Sequence, residues 1–211
     1  MTALDRRPRT QADRRARTRD ALLEAAARGI STHGYSALGL EQVANEAGYS
    51  RGALYHQFAG KEELALAVVR WIDETWAAEV AQPSLAEATP TDTLLTIARQ
   101  HAIYCRRDVA RVMNVLHVEF GGREHPVGRA VEEIVERLLV WCTDLIVAGR
   151  ADGSLPAGPP PRETADVFLS VVEAVGVTVA GRTPHDVELM ERAVRGVLGL
   201  PPTTSGDQEE S

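Results

Sequence analysis

Lysine, cysteine and aromatic residues are scarce in this chain of 211 residues. The two cysteines, Cys105 and Cys142, lie far apart in apolar helical patterns, which favours free buried thiols in a reducing, cytoplasmic setting. Aromatic residues make up 5% of the chain, which gives no sign of an aromatic-lined site for cationic drugs. Together with 44% hydrophobic and 25% charged residues, these scarcities exclude a disulfide scaffold and leave an ordinary globular protein.

Long apolar runs and catalytic signatures are also missing from the sequence. No stretch of about 18 uncharged apolar residues occurs, so we expect no transmembrane helix. The arginine-rich residues 1–19 contain no apolar core and do not have the pattern of a secretory signal. Because no Gly-rich phosphate loop, G-x-S-x-G elbow or paired zinc motif is present, an enzyme is the weaker alternative. We expect no catalytic residue, no metal site and no cofactor.

Charge is distributed unevenly along the chain, whose formal net charge is −7. Residues 1–61 contain ten basic and six acidic residues, whereas residues 62–211 contain 13 basic and 24 acidic residues. A basic N-terminal quarter on an acidic body predicts a module that binds an anion, with nucleic acid as the first candidate. A solvated basic tail is the alternative, and charge alone does not separate the two.

Apolar residues recur at intervals of three and four along most of the chain, which predicts an all-α fold of about nine helices. Glycines at positions 34, 48 and 60 separate the first four helices. Pro83 and Pro90 predict a loop over residues 81–91 that closes the fourth helix. No alternation of apolar and polar residues is long enough to indicate a sheet.

The segment 162–181 is apolar on nearly every side, so we expect a helix that is buried on every side. A subunit of this size has few ways to cover such a helix, which predicts that it pairs with the last helix in a four-helix dimer contact. An intramolecular core helix is the alternative. The candidate interface residues are Phe168, Val172, Val175, Val179, Met190 and Val194.

Residues 40–59 have the spacing of a helix-turn-helix. Ala44 is the small residue that lets two helices cross closely, and Gly48, four residues later, can take the positive φ of the turn. Leu54, six residues after the glycine, is placed to plug the second helix onto the first. An ordinary helical hairpin with a polar exposed face is the alternative, and it does not require these three positions together.

The second helix of this motif would read DNA. Arg51 can pair with guanine edges or phosphates, and the small residues after it let the backbone approach a groove. Lys61, the only lysine beside 22 arginines, begins the next helix, where its ammonium and the helix dipole would both face a phosphate. The residues predicted to contact DNA are Ser50, Arg51, Gly52, Ala53, Tyr55, His56 and Lys61.

The run from Gly34-Tyr35 through Ser50–Phe58 to Lys61–Leu64 resembles the DNA-binding signature of the TetR family of transcriptional regulators. The resemblance, strongest over residues 18–72, implies an all-helical homodimer that binds a palindromic operator in double-stranded DNA and is released by a small-molecule effector. The expected divisions are a basic arm (1–17), a DNA-binding domain (18–60), a ligand-binding and dimerisation body (61–200) and a disordered acidic tail (201–211).

One departure from the family pattern concerns Leu38 and Gly39. The family often places Thr or Ser at the start of the second helix, where the hydroxyl caps the helix and touches a phosphate. Glycine can occupy this position but offers no side-chain oxygen, so we expect this phosphate contact to be absent. The arginines expected to replace it are Arg14, Arg15, Arg17 and Arg19.

The implied effector pocket should lie among the fifth to eighth helices. The candidate ligand-binding residues are Gln100, Tyr104, Met113, His117, Trp141 and Glu173. Glu173, a carboxylate in an apolar helix, is also the residue that an enzyme would use. His101 and Cys105, four residues apart, have a weak metal-ligand spacing, with core side chains as the favoured interpretation. A body that lacks a cavity would instead favour a protein partner.

Overall fold

Nine α-helices and their connections make up residues 10–202, the part of the chain that the computed structural model describes. No strand occurs within these residues, which confirms the predicted all-α class. The start of the predicted arm and nearly all of the predicted acidic tail lie outside the described residues. The helices are α1 (Gln11–His33), α2 (Leu40–Glu46), α3 (Arg51–Tyr55), α4 (Lys61–Trp76), α5 (Pro90–Tyr104), α6 (Val112–Phe120), α7 (Pro126–Ala151), α8 (Pro161–Val179) and α9 (His185–Leu198).

Helix α1 begins earlier than the sequence pattern indicated. Thr10 caps it, because its hydroxyl accepts from the Asp13 N–H at 3.1 Å and the Asp13 carboxylate accepts from the Thr10 N–H at 2.9 Å. This reciprocal capping box starts the helix at Gln11. The expected arm boundary at residue 17 was therefore wrong, and the arginines of residues 14–19 lie on the helix itself.

Helices α2 and α3 form the predicted helix-turn-helix. Gly48 takes a φ of +76°, and the Tyr49 N–H after it donates to the Ala44 carbonyl at 2.9 Å. Leu54 and Phe58 are fully buried against α1, α2 and α4, together with Ala44. The predicted plug is thus confirmed, and burying Leu54 beneath α3 leaves the opposite side of this short helix facing solvent.

The predicted loop over residues 81–91 was wrong in its first half. Helix α4 continues through a π-helical turn, Ala77–Ala81, and a single α-helical turn, Gln82–Ser84. A π turn shifts the hydrogen-bond register by one residue, and it does so directly before Pro83, which has no N–H to donate. The chain leaves the helical path only after Ser84, and Thr89 then caps α5 by accepting from the Asp92 N–H at 3.1 Å.

Two buried clusters of apolar side chains support the molecule. One joins α1–α4 to α6 and the start of α7, and it includes Leu22, Val68 and Leu116. The other fills the space between α5, α7, α8 and α9, with Phe168 and Met190 fully buried in it. The helix-turn-helix therefore shares a core with α6. No helix within residues 10–202 is long and apolar enough to cross a membrane.

Helix α8 is buried on one side and exposed on the other. Helices α5, α7 and α9 cover the buried side, so most of the predicted interface residues lie inside the subunit. The prediction was wrong for Phe168, Val172, Val179, Met190 and Val194, which are all buried within one chain. Only Val175 of the predicted set is partly exposed. The opposite side of α8 presents Val167, which is 51% exposed.

Gly48→Ala should destabilise the protein because of its backbone alone. A Cβ at Gly48 would meet no atom within 4 Å, but alanine at φ +76° costs about 1 kcal/mol. Gly60→Ala is the matched control, since its Cβ also meets nothing and its extended φ of 179° suits any residue. Urea unfolding should show the loss only for Gly48→Ala; equal stability of the two variants would contradict this account.

Candidate nucleic-acid interface and effector cleft

The exposed side of α3 carries the residues that the sequence assigned to DNA. Ser50 caps the helix by accepting from the Ala53 N–H at 3.2 Å. Arg51, Gly52 and His56 are exposed, and Tyr55 is 44% exposed, an unusual state for an aromatic residue beside a core. The helix-turn-helix therefore directs a polar, partly aromatic surface outward. DNA contact by these residues stays a prediction.

Arg51 and Tyr55 form a pair on this surface. Arg51 Nη2 donates to the Tyr55 hydroxyl at 3.3 Å, and the guanidinium lies 5.5 Å from the centre of the Tyr55 ring. The spacing of four residues places both side chains on one face of the helix. The tyrosine thus holds the guanidinium against the exposed face of α3.

Helix α1 extends the basic surface towards α3. The Arg19 guanidinium lies 4.7 Å from the centre of the Phe58 ring, just beyond the recognition helix. Arg14, Arg15 and Arg17 are exposed on the turns that precede it. At the start of α2, Gly39 occupies the N-cap position, and no side chain caps this helix.

Lys61 does not project freely from the start of α4. Its Nζ donates to the Ser36 carbonyl at 2.9 Å and lies 4.7 Å from the centre of the Tyr35 ring. A phosphate contact by Lys61 would have to replace or share these contacts with the α1–α2 loop. Sequence spacing did not reveal them, because Ser36 reaches Lys61 only through the tertiary fold.

A buried polar cluster lies where α4, α5 and α8 meet. The Trp76 indole N–H donates to His101 Nδ1 at 3.0 Å. An indole nitrogen only donates, so Nδ1 carries a lone pair and the imidazole proton is on Nε2. His101 Nε2 lies 3.2 Å from Cys105 Sγ and 3.5 Å from Glu173 Oε2. A Cβ at Gly176 would lie 2.8 Å from Cys105 Sγ, so only glycine permits this approach of α8.

This cluster does not suit a metal ion. A histidine that binds a metal through Nε2 carries a proton on Nδ1 and donates it to an acceptor. Here Nδ1 faces the donor Trp76 instead. No group of three or more potential metal ligands of suitable geometry occurs within residues 10–202. The interpretation of His101 and Cys105 as core side chains fits this arrangement.

The predicted ligand-binding residues do not converge on one site. Tyr104 and Glu173 lie beside His101, where the Tyr104 hydroxyl shares a hydrogen bond of 3.2 Å with Thr75 Oγ1. The other four are dispersed: Met113 packs in the first apolar cluster, Trp141 in the second, His117 is exposed and Gln100 is half-buried. None of the six lines the cleft beside the end of α1, and ligand contact by these residues stays a prediction.

That cleft, of about 1020 Å³, lies between the DNA-binding helices and the body. Its walls are the end of α1, the α5–α6 connection, α6 and the end of α8, with buried Cys105 among the lining residues. Arg111 on this wall is exposed and forms no ion pair within residues 10–202. The valines of the wall include Val118, which is 75% exposed. The cleft therefore offers both a guanidinium and apolar surface.

Three other arginines of the cleft are paired. Arg106 donates to the buried Asp186 carboxylate at 2.7 and 3.0 Å. The other two pairs are Arg28 with Glu46, at 2.7 Å, and Arg107 with Glu79. Burial raises the pKa of Asp186, but the Arg106 hydrogen bonds outweigh it and hold that pKa below its usual value. Asp108 and Glu119 are the acidic residues of the lining.

These features define a helix-turn-helix protein with a helical body. The model of the family described as bacterial regulatory proteins, tetR family, matches residues 22–68. The regulator CymR of Pseudomonas putida is 37% identical over 87 residues, which are 41% of this chain and 42% of CymR. The chain thus matches less than half the length of this relative. The matched region contains the helix-turn-helix described above, so the similarity to this family rests on that N-terminal segment.

Solved structures confirm the fold over most of the chain. AibR in complex with isovaleryl coenzyme A and operator DNA has a TM-score of 0.73 at 20% identity, covering 88% of this chain and all of AibR. FadR from Bacillus subtilis in complex with stearoyl-CoA has a TM-score of 0.70 at 16% identity, covering 85% of this chain and 97% of FadR. At these identities the likeness concerns the fold.

Trp76→Phe should raise the pKa of His101. Burial lowers this pKa, whereas the hydrogen bonds to Cys105 and Glu173 raise it. The Trp76 hydrogen bond requires an unprotonated Nδ1, so it favours the neutral imidazole, and its removal favours the charged form. An NMR titration of the His101 ring measures the change, with Trp141→Phe as control. An unchanged or lowered pKa in Trp76→Phe would contradict the assigned tautomer.

Proposed function

We propose that this protein is a sequence-specific transcriptional regulator that binds a palindromic operator as a homodimer. The observation that carries the proposal is the exposed α3 surface, with Arg51, Tyr55 and His56 held outward over the buried Leu54. Two such helices in a dimer would read half-sites about 34–36 Å apart. The AibR complex with operator DNA shows that a protein of this fold binds DNA.

The proposed dimer face is the exposed side of α8 together with α9. Val167 and Val171 lie four residues apart on α8. Ala174 and Thr178 continue the stripe at intervals of three and four residues, and the stripe contains no charge. Leu189 of α9 is 43% exposed. These valines would be exposed to water in a monomer. Antiparallel helix packing against a second copy of this chain would cover them.

The proposed effector site is the cleft between the DNA-binding helices and the body. Both the DNA-binding helices and the body contribute to its walls. A small molecule that binds one relative orientation of these two parts more tightly therefore shifts the population towards that orientation. Exposed Arg111 favours an anionic group, and Val118 favours an apolar one. Acyl-CoA thioesters combine both, and AibR and FadR are bound to isovaleryl coenzyme A and stearoyl-CoA.

A protein partner for the body is the second candidate. The space between α5, α7, α8 and α9 is filled by buried side chains such as Phe168 and Met190. A filled body favours this candidate over an effector enclosed among those helices. In that case the protein partner would bind the exposed surface of the body, which includes Val140 and Val147 on α7.

Arg51→Ala should weaken specific DNA binding about tenfold or more, because it removes a charge-assisted contact of about 1.5–3 kcal/mol. Tyr55→Phe keeps the ring and removes the hydroxyl that orients Arg51, so a smaller loss is expected. Gel shifts with DNA upstream of the protein's own gene, at low and moderate salt, measure both. Arg70→Ala, an exposed arginine of α4, is the control. Equal binding by Arg51→Ala and Arg70→Ala would reject α3 as the reading helix.

Val167→Asp should convert the dimer into a monomer, because each copy would bury a charge at the centre of the face. Light scattering after size exclusion measures the mass, expected at twice 22.9 kDa for the unchanged chain. Val118→Asp places the same charge on a more exposed valine of the cleft and should stay dimeric. A monomeric unchanged chain, or a dimeric Val167→Asp, would reject this face.

Isovaleryl-CoA and stearoyl-CoA should release the protein from its DNA if the cleft takes an acyl-CoA. Arg111→Gln should raise the concentration required for release about tenfold, whereas Arg70→Gln should not. Titration of each compound into the protein–DNA complex, followed by fluorescence anisotropy, measures the release. Release that is unaffected by Arg111→Gln would place the effector elsewhere, and no release by either compound would favour the protein partner.

A further inference from the structure

We infer that Glu119 is a positioning residue, which holds the helix-turn-helix at a fixed angle to α6 and thereby sets the placement of α3 on DNA. Its carboxylate lies on the last turns of α6 and faces the α1–α2 loop. Oε2 accepts from the Tyr35 N–H at 2.7 Å, and Oε1 accepts from the Ser36 N–H at 2.8 Å and from the Ser36 hydroxyl. The inference rests on the proposed DNA-binding function.

Aromatic contacts hold the same loop from a second side. The Tyr35 ring packs edge-on against Phe120, with centroids 5.1 Å apart, and against His125 at 5.5 Å. Phe120 and His125 are themselves stacked at 4.3 Å. Lys61 then closes the loop from the DNA-binding side, through the Ser36 carbonyl. We call the contacts of Glu119, Phe120 and His125 with Tyr35 and Ser36 the loop clasp.

The loop clasp is strong because its acceptor is charged. Burial raises the pKa of Glu119, but the hydrogen bonds from Ser36 and Tyr35 and the charge of Lys61 lower it more, so the carboxylate is ionised at neutral pH. Backbone N–H groups bonded to a carboxylate make shorter and stronger hydrogen bonds than neutral pairs. Both carboxylate oxygens are used, so the loop cannot slide along α6 without breaking one of them.

The position of the clasp gives it a role beyond stability. The loop leads directly into α2, and Glu119 also lines the cleft between the two parts. At the other end of the same cleft, the Ser31 hydroxyl donates to the Asp108 carbonyl at 2.8 Å. A displacement of α6 therefore either carries the helix-turn-helix with it or breaks the Glu119 bonds. The clasp converts a change at the cleft into a movement of α3.

Glu119→Gln tests this role, because it keeps the size of the side chain but replaces one acceptor oxygen with a donor. Amide exchange at Tyr35 and Ser36 should become at least tenfold faster, with exchange at Tyr49 unchanged. Spin labels on Gln42→Cys of α2 and Glu132→Cys of α7, in dimers diluted with unlabelled chain, should give a broader distance distribution. Ser36→Ala, which removes only the hydroxyl contact, should give an intermediate broadening.

Glu124→Gln is the control, since this glutamate is exposed beside the clasp and, within residues 10–202, its one ion pair is with Arg129, at 3.1 Å. A broadened distribution in folded Glu119→Gln, with the control unchanged, supports the positioning role, and a distribution as narrow as that of the unchanged chain overturns it. DNA affinity should fall about tenfold in Glu119→Gln. Failure of the unchanged chain to bind DNA would reject the proposed function, whereas the distance measurement would still decide the role of Glu119.

Discussion

The packing of α6 against α1 and α4 couples the DNA-binding helices to the body. Val112, Leu116 and Phe120 of α6 are buried in the same cluster as the residues beneath the helix-turn-helix. A three-helix unit of this size has little core of its own, so this shared burial contributes to its stability. The angle at which α3 faces outward is therefore a property of the whole N-terminal core, and α6 belongs to that core.

Polar contacts at the junction make this packing directional. The free energy gained by burying apolar surface depends little on the angle between the packed helices. Hydrogen bonds to the Glu119 carboxylate, in contrast, require the Tyr35 and Ser36 N–H groups at defined positions. A second polar contact beside the cleft is the bidentate pair of Arg106 with the buried Asp186, which ties the α5–α6 connection to α9.

The helix-turn-helix could be predicted because its constraints are local. Ala44, Gly48 and Leu54 act over ten residues, through one close helix crossing, one positive φ and one buried plug. The proposed effector site could not be predicted in the same way. His101, Tyr104 and Glu173 are drawn into a buried cluster, whereas the cleft is built from the ends of α1, α6 and α8, which no sequence period relates.

The sequence by itself determined the all-helical class, the helix-turn-helix and the outward residues of α3, since each depends on periodicity or on spacing within one segment. Only the tertiary structure decided which side of α8 is buried and what Lys61 contacts. The apolar composition of α8 is nearly symmetric, so the packing of α5, α7 and α9 determined that the side containing Phe168 is buried. Likewise Lys61 meets Ser36 because the fold closes a loop of 25 residues, a relation that no local pattern encodes.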